Sequence, residues 1–66
     1  MSPVDQAMEE ILRHRIAHAK YLLGESNESV AVIARQSGFN NTNRFYVTFR
    51  NQVGMAPQEY RSQFSD

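Results

Sequence analysis

Gly38 lies between two short segments whose apolar residues recur at helical spacing, and this arrangement restricts the fold more than any other feature of the chain. A glycine readily adopts the positive φ that a tight bend between two helices requires. Phe39 follows directly and is predicted to fill the core between the two segments. A short helix, a glycine turn and a second helix form the layout of a helix-turn-helix.

A long helix is predicted ahead of this motif. Apolar residues recur at three- and four-residue steps through residues 3–23, which is typical of an amphipathic helix. Ser2, Pro3 and Asp5 are suited to the N-cap, the first helical position and a capping box, respectively. Gly24 is expected to end the helix as a left-handed cap. A helix of this length in so small a domain often links two units.

Three shorter helices and no strand are predicted after a polar connector, so the chain is predicted to be all-α. Asn27 or Ser29 is placed to cap the first of them, and Gly54 to end the second. Tyr60 and Phe64 lie one helical turn apart in the last, so both are expected to close the bottom of the core. The three helices span about residues 30–36, 41–53 and 57–64. The predicted core comprises Leu12, Ile16, Ala19, Leu23, Val30, Ile33, Ala34, Phe39, Phe45, Phe49, Val53 and Tyr60.

The second of these short helices carries an unusual outward face. At about 100° per residue, Phe45 and Phe49 point inward, whereas Asn43, Arg44 and Val47 fall on the opposite side. An amide, a guanidinium and an aliphatic group are the side chains that read adenine, guanine and the thymine methyl in a DNA major groove. The alternative is a solvated helix with one stray valine. The candidate base-contacting residues are Thr42, Asn43, Arg44, Tyr46 and Val47.

Three further residues are candidates for contacts with DNA phosphates. Arg50 lies on the outward side of the same helix and suits a phosphate clamp, with an ion pair as the alternative. Arg35 ends the preceding helix, where the helix dipole also favours a cation. Ser29 marks a helix N-terminus whose backbone amides can bind a phosphate, although capping alone also explains this serine.

Charge is unevenly distributed along a chain whose formal net charge is zero. Residues 1–28 contain five acidic and three basic residues, whereas residues 29–66 contain four arginines and two acidic residues. The basic half is the half that contains the candidate base-contacting helix. This footprint is weak for a DNA-binding domain and predicts weak binding by the chain alone.

Other classes of function find little support in the sequence. The chain has no cysteine, which excludes disulfides, thiol catalysis and cysteine-based zinc sites. Its longest apolar run is too short to span a membrane, and without a signal-peptide pattern a cytoplasmic location is expected. No glycine-rich phosphate loop and no nucleophile–base pair is present, so neither an enzyme nor a cofactor is predicted. The main alternative is a protein-interaction module that docks a partner on its long helix or outward face.

Two histidines provide the one pattern that suits a metal ion. His14 and His18 lie one helical turn apart, and Glu10 lies one turn earlier on the same stripe. Arg15 stands where the metalloprotease pattern requires a glutamate, and its charge opposes a bound cation. No metal site is therefore predicted, and the stripe is expected to be solvated or packed against another unit.

The spacing of several residue groups resembles that of one known family. These groups are Arg15-Ile16, Ala19-Lys20, Leu22-Leu23, Ser29-Val30, Ile33-Ala34, Gly38-Phe39, Phe45, Phe49-Arg50, Gly54, Pro57 and Tyr60-Arg61. Together they resemble the C-terminal half of the DNA-binding domain of AraC/XylS-type transcription regulators. The resemblance covers about residues 15–61 and needs no gaps.

The resemblance implies a domain built from two helix-turn-helix units joined by a long helix. Residues 1–24 would form the linking helix and residues 25–66 the second, homeodomain-like unit, so the chain is expected to be half of such a domain. Double-stranded DNA is the implied partner, with RNA polymerase and a second copy of the regulator (a homodimer) as further partners. Arg61 matches the closing arginine of the family, which either bonds helix ends or contacts DNA.

Several positions depart from the family pattern. Val47 stands where the family commonly has arginine, which suggests a thymine methyl contact at this position. Asn51 replaces a frequent basic residue and lowers the attraction for phosphate. Asn41 and Asn43 stand where an acidic residue and a serine are usual, and Asn41 still suits an N-cap. Ala56 replaces the usual threonine or serine cap of the last helix, at a loss of about 1 kcal/mol.

Overall fold

The computed structural model describes residues 3–64 and the side chains of residues 7–64. This part of the chain forms helices α1 (Pro3–Glu25), α2 (Val30–Gln36), α3 (Thr42–Val53) and α4 (Pro57–Ser62). It contains no strand, so the all-α prediction is confirmed. None of the helices within residues 3–64 combines the length and the apolar character needed to cross a bilayer. The predicted roles of Ser2 and of the Asp5 side chain lie outside the described residues.

The core lies where the second half of α1 packs against α2, α3 and α4. Ala19 and Ala34 are completely or almost completely buried, and their small side chains allow the helix axes to approach closely. The buried hydrophobic residues are Ile16, Ala19, Leu23, Ile33, Ala34, Phe39, Phe45 and Phe49, and all of them belong to the predicted core. The remaining predicted core residues, Leu12, Val30, Val53 and Tyr60, are partly buried against this cluster.

Aromatic rings form a continuous row through the core. The ring centroids of Phe39 and Phe45 are 5.2 Å apart, those of Phe45 and Phe49 5.6 Å, and those of Phe49 and Tyr60 5.7 Å. Such tilted and edge-to-face pairs contribute about 0.5–1.5 kcal/mol each beyond the burial of their surface. Phe64 extends the row at 5.1 Å from Tyr60 but remains 56% exposed. Only Tyr60 therefore closes the bottom of the core as predicted, and Phe64 covers the outside.

Local hydrogen bonds cap the start of each helix of the helix-turn-helix. The hydroxyl of Ser29 accepts the amide N–H of Val32 at 3.2 Å, so Ser29 caps α2. Gly38 follows α2 with a φ of 94°, the left-handed conformation expected for the turn. Asn41 caps α3 through a 3.2 Å bond from the Arg44 amide to its side-chain oxygen. These caps confirm the predicted limits of the motif.

The predicted left-handed cap at Gly24 is wrong. Among the described residues positive φ occurs only at two other glycines, and α1 continues through Gly24 to Glu25. The end of the helix is satisfied differently, because the amide and the hydroxyl of Ser26 both donate to the carbonyl of Leu22 at 2.9 Å. Arg61 donates from Nε to the carbonyl of Leu23 at 3.4 Å and from Nη2 to that of Ser26 at 3.3 Å.

Gly24 is helical whereas Gly54 has a positive φ, so alanine substitutions at the two positions are expected to change stability in opposite directions. Gly24→Ala is expected to stabilise the domain by about 0.5 kcal/mol, because a helical glycine costs conformational entropy and the new Cβ would lie 3.8 Å from the Phe64 ring, an ordinary contact. Gly54→Ala is expected to destabilise it by about 1 kcal/mol, since φ is +93° and no neighbour offers compensating contact. Thermal unfolding of both variants measures the difference, and a destabilising Gly24→Ala would contradict a helical conformation at position 24.

Arg61 is placed as a structural residue by its two carbonyl partners at the end of α1. Arg61→Met keeps the apolar stem and removes both charge-assisted hydrogen bonds, so a loss of about 2 kcal/mol is expected. Urea denaturation measures this loss. Arg61→Lys is the control that retains the charge without the planar donor geometry, and it is expected to recover part of the stability. Unchanged stability in Arg61→Met would leave a DNA contact as the role of this arginine.

Ala56 leaves the start of α4 half capped. The Glu59 carboxylate accepts the Ala56 amide N–H at 3.5 Å, but alanine has no side-chain oxygen to return the bond. Ala56→Ser is therefore expected to stabilise the domain by about 1 kcal/mol, measured by the urea midpoint. Ala17→Ser, on the exposed face of α1, is the matched control and is expected to destabilise slightly because serine is the poorer helix former.

Candidate nucleic-acid interface

Helix α3 has one buried face and one exposed face. Phe45 and Phe49 are both 0% exposed and anchor the helix in the core. Asn43, Arg44 and Val47 are exposed on the opposite side, and Val47 is 53% exposed. With Asn41 capping its start and Gly54 ending it, α3 presents these side chains from a fixed backbone rather than from a loop. The structure thus brings together the amide, guanidinium and aliphatic groups predicted to share one face.

Tyr46 and Thr42 differ from the other candidates for base contact. Tyr46 is half-buried on the flank of α3, with its ring 6.1 Å from that of Phe45. Its hydroxyl accepts a hydrogen bond from the side-chain amide of Gln58 in α4. Thr42 is exposed at the first position of the helix. Tyr46 is therefore tied to α4.

The phosphate candidates lie around this helix. Arg50 is exposed in the last turn of α3 and lines a shallow groove with Val47 and Asn51. Arg35 is exposed in the last turn of α2. Within the described part of the chain, neither guanidinium takes part in a hydrogen bond of the kind that holds Arg61. Ser29 is exposed, but its hydroxyl is engaged in capping α2.

Two residues near this surface were missed in the sequence analysis. Gln58 bonds Tyr46 from a different helix, and no spacing rule links positions so far apart. Arg15 lines a cleft beside the start of α3 together with Asn40 and Arg44. The sequence does contain one indication that Arg15 is free to bind a ligand, because no acidic residue lies three or four positions away to pair with it on the helix.

The histidine stripe of α1 faces solvent. His14, His18 and Glu10 are all exposed. Among the residues that the structure describes, no three histidine, aspartate or glutamate side chains come together in a group suited to a metal ion.

Comparison with known proteins assigns this architecture. A family model described as "Helix-turn-helix domain" matches residues 6–63, which is most of the chain. The chain belongs to this family. Together with its relatives, the match confirms the AraC/XylS type and supports sequence-specific DNA binding by this domain.

The relatives are regulators of transcription. The melibiose operon regulatory protein of Escherichia coli (strain K12) is 47% identical over 47 residues, which cover 71% of this chain and 16% of that protein. The HTH-type transcriptional activator RhaR of Klebsiella pneumoniae is 43% identical over 47 residues, covering 71% of this chain and 17% of the activator. The matched segment of this chain thus spans about a sixth of the length of these regulators.

A solved structure shares the fold. The C-terminal domain of the two-component response regulator yesN from Fusobacterium nucleatum superposes with a TM-score of 0.80 at 31% sequence identity. The superposition covers 82% of this chain and 52% of that one. The helix-turn-helix of this chain therefore has the same backbone arrangement as part of a larger domain.

Proposed function

We propose that α3 is the recognition helix and enters the major groove of DNA with its exposed face toward the base edges. The observation that carries this proposal is the composition of that face. Asn43, Arg44 and Val47 stand outward together, while two phenylalanines on the opposite side fix the helix in the core. The proposed base-contacting residues are Thr42, Asn43, Arg44, Tyr46 and Val47.

Each central side chain has a natural partner among the bases. The Asn43 amide suits the N6 and N7 atoms of adenine, and the Arg44 guanidinium suits O6 and N7 of guanine. Val47 is an aliphatic group that is 53% exposed, and the thymine methyl is the apolar group that a major groove offers. A solvated helix gains nothing from a valine at this position.

Phosphate contacts are proposed on both sides of the recognition helix. Arg50 extends from the last turn of α3 beyond the base-reading face. Arg35, in the last turn of α2, and the α2 N-terminus at Ser29 are the other two contacts. Such contacts fix the register of the helix on the duplex and carry no sequence information themselves.

A wider arrangement is proposed by analogy with the family. Residues 1–24 are proposed to link the helix-turn-helix unit of residues 25–66 to a second unit of the same kind. Tyr21 on α1 is 64% exposed, and we propose docking of a protein partner on this long helix as an additional role. RNA polymerase and a second copy of the regulator are the proposed candidates for that role.

Binding isotherms with duplexes of random sequence test the proposal. The chain is expected to enrich particular sequences, with a dissociation constant near the nonspecific range of about 10⁻⁴–10⁻⁶ M. The two arginine contacts, Arg50 and Arg35, predict a slope of about −1.8 for log K against log salt, at roughly 0.9 per neutralised phosphate. A protein adaptor would show neither enrichment nor salt dependence, and that result would replace the DNA-binding proposal with the protein-interaction one.

A further inference from the structure

A cleft separates the first half of α1 from the turn that precedes α3. It is formed by two arginines, two asparagines, two exposed apolar side chains and the Gly38-Phe39 turn. Its lining residues are Met8, Ile11, Arg15, Gly38, Phe39, Asn40, Asn41 and Arg44. Among the described side chains that line the cleft, none carries a carboxylate and two are arginines from different helices.

Arg15 is held in place by the turn. A Cβ atom added at Gly38 would lie 2.9 Å from Nε and 3.2 Å from Cδ of Arg15, so the arginine passes directly over the bare Cα of this glycine. Arg15 is half-buried as a result. Its guanidinium is thus positioned by packing before any ligand arrives, which lowers the entropy cost of binding.

No acidic residue lies three or four positions from Arg15 in the sequence. Pairs three or four residues apart are the ones that meet on a helix surface. Arg13 has Glu9 and Glu10 at these distances and lines a different groove, together with Glu9 and Gln52. The residues at these distances from Arg15 are uncharged or histidine, namely Ile11, Leu12, His18 and Ala19.

A DNA strand would pass this cleft if α3 occupied the major groove. The groove is about 12 Å wide and an α-helix with its side chains is about 10–12 Å across, so the sugar-phosphate strands must lie against the flanks of the helix. Arg44 lies in the first turn of α3 and also lines the cleft, so a strand beside that turn lies next to the cleft. Met8 and Ile11 supply an apolar wall beside the two arginines, which matches the alternation of deoxyribose and phosphate along a strand.

We propose that Arg15 contacts a backbone phosphate of the DNA strand that passes the start of α3, beside the base contact of Arg44. The inference rests on the proposed function of α3 and adds α1 to the DNA-binding surface. It assigns the cleft to a phosphodiester rather than to a protein partner.

The test compares Arg15→Met with Arg13→Met in the full chain. Both changes remove one positive charge from α1 and keep an apolar stem, but only the first empties the cleft of its α1 cation. Arg15→Met is expected to make the slope of log K against log salt shallower by about 0.9 and to weaken all duplex sequences alike. Arg13→Met is expected to keep the original slope, and Arg15→Lys to restore it.

A second measurement uses the unchanged protein and does not depend on the folding of a variant. The Nε–H NMR signal of Arg15 is expected to shift on titration with duplex DNA, whereas that of Arg13 stays in place. An unchanged Arg15 signal, or equal slopes for the two methionine variants, would overturn the inference while sequence-enriched binding still upheld the role of α3. Absence of any DNA binding by the unchanged chain would overturn both.

Discussion

Phe49→Ala is expected to leave the domain largely unfolded at room temperature. The Phe49 ring is 0% exposed and lies between those of Phe45 and Tyr60, at centroid distances of 5.6 and 5.7 Å. Truncating a buried phenylalanine typically costs about 3–5 kcal/mol through lost transfer energy and the cavity left behind. A single core in a chain of this size rarely supplies more than about 3–5 kcal/mol in total. The one substitution is therefore enough to remove the stability of the fold, and far-UV circular dichroism in a urea titration measures it.

Phe64→Ala is the matched control for this prediction. The chemical change is identical, but Phe64 is 56% exposed and covers only the outer side of Tyr60 and Gly24. Its expected cost is about 1 kcal/mol, close to the value of one aromatic pair. Equal losses of stability in the two variants would mean that every ring of the aromatic row contributes equally to the free energy of unfolding. The core would then not be centred on α3.

The core could be predicted from the sequence because its signal is local. Phe45 and Phe49 lie one turn apart, as do Ala19 and Leu23, and helical periodicity alone places each pair on one face. The helix caps could be predicted for the same reason. At Asn41, the side-chain oxygen accepts a hydrogen bond from an amide only three residues away. In both cases the interacting groups fall within one or two turns of the same segment.

The errors arose where distant residues decide the outcome. Gly24 is a residue type that commonly caps helices. However, Arg61, 38 positions further along the chain than Leu23, donates a hydrogen bond to the Leu23 carbonyl at the end of α1. The hydrogen bond between Gln58 and Tyr46 likewise joins two helices and draws a candidate base contact toward the protein. Neither arrangement has a sequence period. The family resemblance offered helix-end bonding as one of two roles for Arg61, whereas the partner of Tyr46 becomes visible only in the packing of α4.

The base-reading proposal leads to a prediction in which specificity and affinity change separately. Asn43→Ala and Arg44→Ala are each expected to remove about 1–3 kcal/mol of discrimination against the wrong base at one position of the site. This corresponds to a loss of roughly 5- to 150-fold in sequence preference. Arg50→Ala is expected to weaken every duplex equally and to make the salt slope shallower by about 0.9. Isotherms with the enriched duplex and with single-base variants of it measure both quantities.

Two control variants carry the same Asn→Ala and Arg→Ala changes at positions outside α3, so they show whether a loss of sequence preference is specific to that helix. Asn27→Ala lies in the exposed connector before α2, and Arg13→Ala lies on α1 beside acidic residues. Both are expected to leave sequence preference unchanged. If Asn43→Ala and Arg44→Ala behaved like Arg50→Ala, with equal losses on all sequences, α3 would be a backbone-binding helix. Its exposed valine would then remain without a function, since a sequence-blind phosphate contact gives an aliphatic group nothing to bind.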